Sequence, residues 1–238
     1  MTTTVAGWTT LAEKPLVLQR EYAFGPGRAN ALVVGLPNDK LLLVSPPVGL
    51  TAAELQTLTD HGDVIGLLAN NGAHHLGLPA WRSAFPNART YATPQARERI
   101  LKKNKAPGQL EPIESLRPLL GDQVDVLAAD GCKTGDVLVR VSTERGTVLF
   151  AGDFIANIPH LPKNPLFRLM FRLTDSAPGL KVFKLFFRFF ASDKRALRDF
   201  LIRELEARPP AILVPSHGDV VAKPELGPTL ISMLRAAI

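Results

Sequence analysis

Val64-Ile65-Gly66-Leu67-Leu68-Ala69-Asn70-Asn71-Gly72-Ala73-His74-His75 is the stretch on which the reading of this chain turns. Its first six residues form a short apolar run of the kind buried on both faces of a sheet. The polar half that follows carries the only adjacent histidine pair among five histidines in 238 residues. Two imidazoles just past a strand end point to a metal site. The competing reading is a turn whose histidines cap and pack. Asn70 and Asn71 are read as loop stabilisers, their side chains bonding nearby backbone.

Working outward, the same alternation continues on both sides. Ala31 to Leu36 and Lys40 to Val44 flank Pro37-Asn38-Asp39 and predict a β-hairpin, ended by Ser45-Pro46-Pro47. Thr51-Ala52-Ala53-Glu54 has capping-box spacing and opens a helix with Leu55 and Leu58 inward. A helix over Pro79 to Ala84, a strand at Arg89 to Ala92 and a helix from Pro94, capped by Thr93, come next. Residues 1–29 read as irregular, with a strand at Leu16 to Gln19 and a loop at Gly25-Pro26-Gly27. Lys102 to Pro118 reads as a connection between halves.

Strands then crowd together at Val124 to Ala128, Val137 to Val141 and Thr147 to Ala151, with Val137, Val139 and Val141 alternating against a partly wet face. Ser192 is placed as the cap of a helix carrying Leu197, Phe200, Leu201 and Leu205 inward, before a buried strand at Ala211 to Val214. Pro228 opens a closing helix. The pattern is that of two sheets with helices outside, a layered α/β sandwich.

Composition sets the outer limits. Hydrophobic residues make up 46% and charged residues 21%, ordinary for a globular protein with a substantial core. The single cysteine, Cys132, excludes an internal disulfide framework. No basic-then-apolar leader opens the chain and no apolar run is long enough to span a bilayer, so a cytoplasmic, soluble protein is expected. The net charge of +6 is read first as solubility, and only then as a preference for anionic partners.

Candidate ligands recur at one kind of place, just past an apolar strand. His74 and His75 follow Val64–Ala69, Cys132 follows Val124–Ala128, Asp153 follows Thr147–Ala151, and His217 in Pro215-Ser216-His217-Gly218-Asp219 follows Ala211–Val214. Loops at the carboxyl ends of strands are where α/β folds build their sites.

That order of a histidine pair, a Gly-Asp after a strand and a Ser-His-Gly after a later strand resembles the metallo-β-lactamase superfamily, from about Ala29 onward. Ser45-Pro46-Pro47 and the run from Trp81 to Phe85-Pro86-Asn87-Ala88 resemble a divergent branch of it. The resemblance implies an αββα sandwich, a single domain over 1–238, with a helical aromatic and basic insertion at about 160–191. The family's His-x-His-x-Asp-His motif is degenerate here. Asn70 and Gly72 stand at its first two histidines, His74 at its aspartate and His75 at its last histidine. Cys132 replaces the next histidine, Asp153 matches the bridging aspartate, His217 the final histidine, and Ser45 replaces the strand-end aspartate.

Carried over, the resemblance implies one surviving metal subsite of His74, His75, Asp153 and His217, with Cys132 close enough to contribute or simply buried. The ligand chemistry suits zinc first, then iron or manganese. His74 and Asp153 are the candidate catalytic residues. As a fourth ligand His74 closes the site; unbound, it serves as a proton shuttle. The implied activity is single-metal hydrolysis of an ester, thioester, lactone or phosphoester of small size. The alternative is a non-catalytic binding protein of the same fold.

Leu166 to Phe190 holds most of the phenylalanines together with Arg168, Arg172, Lys181, Lys184 and Arg188, and reads as two short helices joined by Thr174 to Gly179. A cap packed over the core ranks first. A lid or homodimer surface, peripheral membrane contact and, last, nucleic acid follow.

Overall fold

The computed structural model describes residues 3–24, 27–103 and 108–238, without the side chain of Lys103. The chain runs β1 (Thr4–Val5), β2 (Trp8–Glu13), β3 (Leu16–Phe24), β4 (Gly27–Leu36), β5 (Lys40–Val44), α1 (Ala52–His61), β6 (Asp63–Leu68), α2 (Leu78–Ala84), β7 (Arg89–Ala92) and α3 (Pro94–Lys103). Then come β8 (Glu111–Pro112), a 3₁₀ turn (Ile113–Leu116), α4 (Arg117–Leu120), β9 (Val124–Ala128), β10 (Val137–Thr143), β11 (Gly146–Phe150) and β12 (Ile155–Ile158). It closes with α5 (Pro165–Leu173), β13 (Gly179–Val182), α6 (Lys184–Phe189), α7 (Lys194–Ala207), β14 (Pro210–Val214), β15 (Val221–Ala222) and α8 (Leu226–Ala237).

Strands β1 to β8 form one sheet in chain order, antiparallel through β5 and parallel from β5 to β8. The second sheet has the order β15-β14-β11-β10-β9, with β11 and β14 parallel. Period-two burial explains the layering. On β4, Leu32 and Val34 face Val137, Val139, Val141 and Phe150 of the second sheet, while Ala31 and Val33 face Leu58 of α1, Trp81 of α2 and Ile100 of α3. On the other sheet, Leu138, Leu149 and Leu213 face Phe186, Leu197, Phe200, Leu201, Leu205 and Leu230. Two helical layers thus enclose two sheets, the αββα sandwich that the sequence predicts.

The hairpin β4–β5, the capping box of α1 and the Thr93 cap of α3 form as expected. Several expectations need correction. Residues 4–24 form β1, β2 and a nine-residue β3, where only Leu16 to Gln19 was expected as a strand. Of the expected loop at 25–27, Gly27 begins β4, and Gly25 and Pro26 lie outside the described residues. The connection after Lys102 supplies the edge strand β8 and a helical turn, with 104–107 outside the described residues.

The expected wet face of β10 lies under α7. Arg140 there is buried, and its two guanidinium nitrogens meet Asp125 at 3.1 Å and Glu204 at 3.0 Å, which makes a buried cation tolerable. Helix α7 is capped by Asp193, whose Oδ1 accepts from the amides of Arg195 and Ala196, and not by Ser192. Helix α8 starts at Leu226, two residues before Pro228. Leu180 to Val182 is a strand paired with β12, so Lys181 does not share a helical face with Lys184 and Arg188. No helix of the described residues is long and apolar enough to cross a membrane.

Candidate metal centre

Three loops at the carboxyl ends of β6, β11 and β14 carry His74, Asp153 and His217 together. The parallel pairing of β11 with β14 brings the last two loops side by side, and Ser216 donates its amide to the Gly152 carbonyl at 3.1 Å. The β6 loop reaches across between sheets, with Val137 donating to the Asn70 carbonyl at 3.0 Å and Gly72 donating to Thr134 at 2.9 Å. Gly218 follows His217 in the left-handed region, with φ of 94°, and a side chain there would collide with the Asn157 carbonyl.

The result is one cluster in which a donor atom from each of His74, Asp153 and His217 lies within 4.8 Å of the others. Nε2 of His74 and Nε2 of His217 both stand 3.4 Å from Asp153 Oδ1. That oxygen is buried and has no hydrogen-bond partner. On the far side of each ring the second nitrogen is held. His217 Nδ1 donates to the Arg28 carbonyl at 2.7 Å, and His74 Nδ1 lies 3.0 Å from Ser45 Oγ and 3.4 Å from the Tyr22 hydroxyl. Ser45 reaches this position from a left-handed backbone, φ 54°, uncommon for a residue with a side chain.

Charge follows that geometry. Burial disfavours a charged His74, but the carboxylates of Asp153 and, further off, Asp136 outweigh it and hold the imidazole more basic than usual. Burial also opposes ionisation of Asp153. His74, His217 and a hydrogen bond from Ser216 overcome it and hold the carboxyl well below the usual range. His217 goes the other way, since burial and the neighbouring His74 outweigh Asp153 and keep it less basic. Burial, with Asp153 nearby, pushes Tyr22 up to about 12 despite its bond to Ser45.

The remaining sequence candidates sit beside the cluster. His75 is buried and lies outside this three-residue cluster, and its carbonyl accepts the Leu78 amide at the start of α2. Cys132 points into a second buried group, 3.0 Å from Thr134 Oγ1 and 3.3 Å from Asp136 Oδ2. Burial and Asp136 push its thiol up to about 11, so it is a neutral, poorly ligating sulfur near neutral pH. Asn71 joins the two groups. Its amide donates to Asp136 Oδ1 at 2.8 Å and Asp153 Oδ2 at 3.0 Å, and its Oδ1 accepts the amides of Ala73 and His74.

Three contributors escaped the sequence reading. Tyr22 lies in the segment read as irregular. Asp136 follows a Thr-Gly turn with no motif around it. Asn30 is a buried amide in an otherwise apolar strand; it donates to the Pro215 and Gly218 carbonyls at 2.8 and 2.7 Å and so brackets His217. A polar residue inside Ala29-Asn30-Ala31-Leu32 was the available signal. Aromatic rings close one side: Phe24 packs on both histidines, and Phe183 lies 6.2 Å from His217 between centroids.

No protein-family model matches the chain, and no curated protein matches it by sequence. Solved structures do match. A metallo-β-lactamase from Pontibacter korlensis superposes with a TM-score of 0.57 at 13% identity, over 98% of this chain and 99% of that one. The metallo-β-lactamase FIM-1 from Pseudomonas aeruginosa, in a mono-zinc form, gives 0.57 at 14% identity over 100% and 95%. The metal-soaked Flv1 flavodiiron core from Synechocystis sp. PCC6803 gives 0.57 at 16%, covering 97% of this chain and 61% of that one. Identity this low carries architecture and nothing finer, and on that ground the chain has the fold of the metallo-β-lactamase superfamily.

Proposed function

We propose that the chain is a hydrolase using one divalent metal held by His74, Asp153 and His217. The observation that carries this reading is Asp153 Oδ1, a buried carboxylate oxygen without a hydrogen-bond partner and flanked at 3.4 Å by two imidazole nitrogens. Two imidazole nitrogens and a buried carboxylate oxygen converging on one point are a donor set suited to zinc, then iron or manganese. Neighbours of this architecture include a mono-zinc form and a metal-soaked core, so the fold itself accommodates metal sites.

Three protein ligands leave a coordination position open, which four would not. A divalent metal held there would supply a bound water of lowered pKa and Lewis acidity toward a substrate carbonyl or phosphoryl oxygen. The chain's own residues do the positioning. Ser45 and Tyr22 fix the His74 ring through Nδ1, and the Arg28 carbonyl fixes His217 through its Nδ1, so both present Nε2 to Asp153. As a ligand, His74 is committed through Nε2 and no longer serves as a shuttle. Phe24 and Phe183 offer an apolar wall for the acyl side of an ester, thioester, lactone or phosphoester.

A second reading, a non-catalytic binding protein, draws on the mutual neutralisation of a basic His74 and a strongly acidic Asp153. The two are separated by assaying the zinc-loaded and chelator-treated protein on chromogenic esters, thioesters, lactones and phosphoesters. The hydrolase reading expects turnover of at least one class that chelation removes and Asp153→Ala abolishes. Inactivity of the loaded protein on every class favours the binding protein.

A further inference from the structure

Helix α5 is well formed but buries little of its own surface. Asn164 caps it, accepting the amides of Leu166 and Phe167 at 3.0 and 3.3 Å, yet none of its nine residues is buried. Leu166, Leu169 and Leu173 are 67%, 54% and 78% exposed, and Phe167 is 45% exposed. These four account for four of the ten large apolar side chains exposed among the described residues. The spacing i, i+3, i+7 puts the three leucines on one face, turned to solvent. The cap over the core expected from sequence is therefore not what α5 provides. Its attachment runs through the opposite side, where the Phe171 ring meets Phe183 at 5.7 Å.

Charge is concentrated at the same place. Residues 163–188 carry Lys163, Arg168, Arg172, Lys181, Lys184 and Arg188 against the single carboxylate of Asp175, a net +5 of the chain's +6. Asp175 pairs with Lys181 and Lys184. Lys163, Arg168, Arg172 and Arg188 have no carboxylate partner among the described residues. Arg168 and Arg172, at i and i+4, form a stripe beside the leucines.

We propose that α5 docks this protein onto an anionic lipid surface, with Leu166, Leu169 and Leu173 entering the acyl boundary and Arg168 and Arg172 reaching the phosphates. An outward apolar stripe flanked by cations is the arrangement of helices that lie in the plane of a membrane interface. A second copy fits worse, because a two-fold face would oppose the arginines of both copies with no acid on α5 to offset them. The proposal is independent of whether the His74 cluster holds metal.

The test is cosedimentation of the full chain with phosphatidylcholine vesicles and with vesicles containing phosphatidylglycerol, at low and physiological salt. Binding is expected at least tenfold tighter to the anionic vesicles, weakening with salt. Arg168→Glu with Arg172→Glu should weaken it by at least about 25-fold, at roughly fivefold per basic side chain near the surface. Leu166→Glu with Leu169→Glu should abolish it while circular dichroism stays that of the parent, since both side chains already face water. Absence of binding to anionic vesicles, equal binding to neutral ones, or variants that bind like the parent would overturn the proposal. So would a dimer in light scattering that the leucine variant dissolves, which would make the face a self-association surface.

Discussion

Asn71 Nδ2 lies 3.0 Å from Asp153 Oδ2 and 2.8 Å from Asp136 Oδ1, so one fully buried amide ties the histidine loop to two carboxylates. The same side chain accepts the amide of His74, which makes it a positioning residue for two of the three proposed ligands. Asn71→Ala should weaken zinc affinity by roughly 10- to 100-fold, the usual effect of losing a partner that orients a ligand. It should also cost about 1–3 kcal/mol of metal-free stability through the groups left unpaired. Competition titration with a chromogenic chelator and thermal denaturation read the two effects separately. An affinity equal to that of the parent would show that Asp153 is held by other means.

Asp136 gives a pH dependence with a definite sign. Burial and the Asp153 carboxylate push its carboxyl up to about 7, against hydrogen bonds from Thr134, Asn71 and Cys132 that favour ionisation. Between about pH 4 and pH 7 the unfolded chain has released this proton while the folded chain retains it, so stability falls as pH rises through that window. His74 adds a slope of the same sign and His217 one of opposite sign, so the comparison must be with a variant. Asp136→Asn, which cannot ionise and keeps one acceptor oxygen, should be more stable relative to the metal-free parent at pH 8 than at pH 5. Melting temperatures whose difference does not change with pH would contradict the assignment.

Asn30 should matter to the site although it touches no ligand side chain. Its amide fills the Pro215 and Gly218 carbonyls, accepts from Gln19 at 2.7 Å, and its backbone N–H bonds Ser216 at 2.8 Å. Asn30→Ala leaves buried polar groups unmet and should cost about 2 kcal/mol or more. With His217 released from its bracket, zinc affinity should fall as well. Asn30→Asp should not restore it, because a carboxylate cannot donate to two carbonyls. Full affinity in Asn30→Asp would refute the bracket.

How much of this was legible depended on whether neighbouring residues repeat the local pattern. Val64 to Leu68, Thr147 to Phe150 and Ala211 to Val214 are short, largely apolar runs ending in polar loops, so the strands and the strand-end placement of His74, Asp153 and His217 were readable. Strand β2 was not, because a register shift between Thr10 and Ala12 breaks its alternation and puts Leu11 and Ala12 inward together. In β3 the polar run Gln19-Arg20-Glu21 hid the continuation of the expected Leu16 to Gln19 strand, where Arg20 is buried against Glu54 of α1. That concealment also hid Tyr22. His75 is the converse case: adjacency in sequence made it a ligand candidate, and the loop brings its neighbour into the cluster. Which side chain of a pair turns inward is set by backbone contacts such as Asn71 Oδ1 to the amides of Ala73 and His74.

The central claim is a single metal on His74, Asp153 and His217. Equilibrium dialysis of the full chain against zinc, followed by elemental analysis, tests it most directly when run beside His217→Ala, Asp153→Ala and His75→Ala. One zinc per chain is expected in the parent and in His75→Ala, with loss of stoichiometric zinc in the other two. No bound zinc in the parent, two per chain, or retention in Asp153→Ala would contradict it.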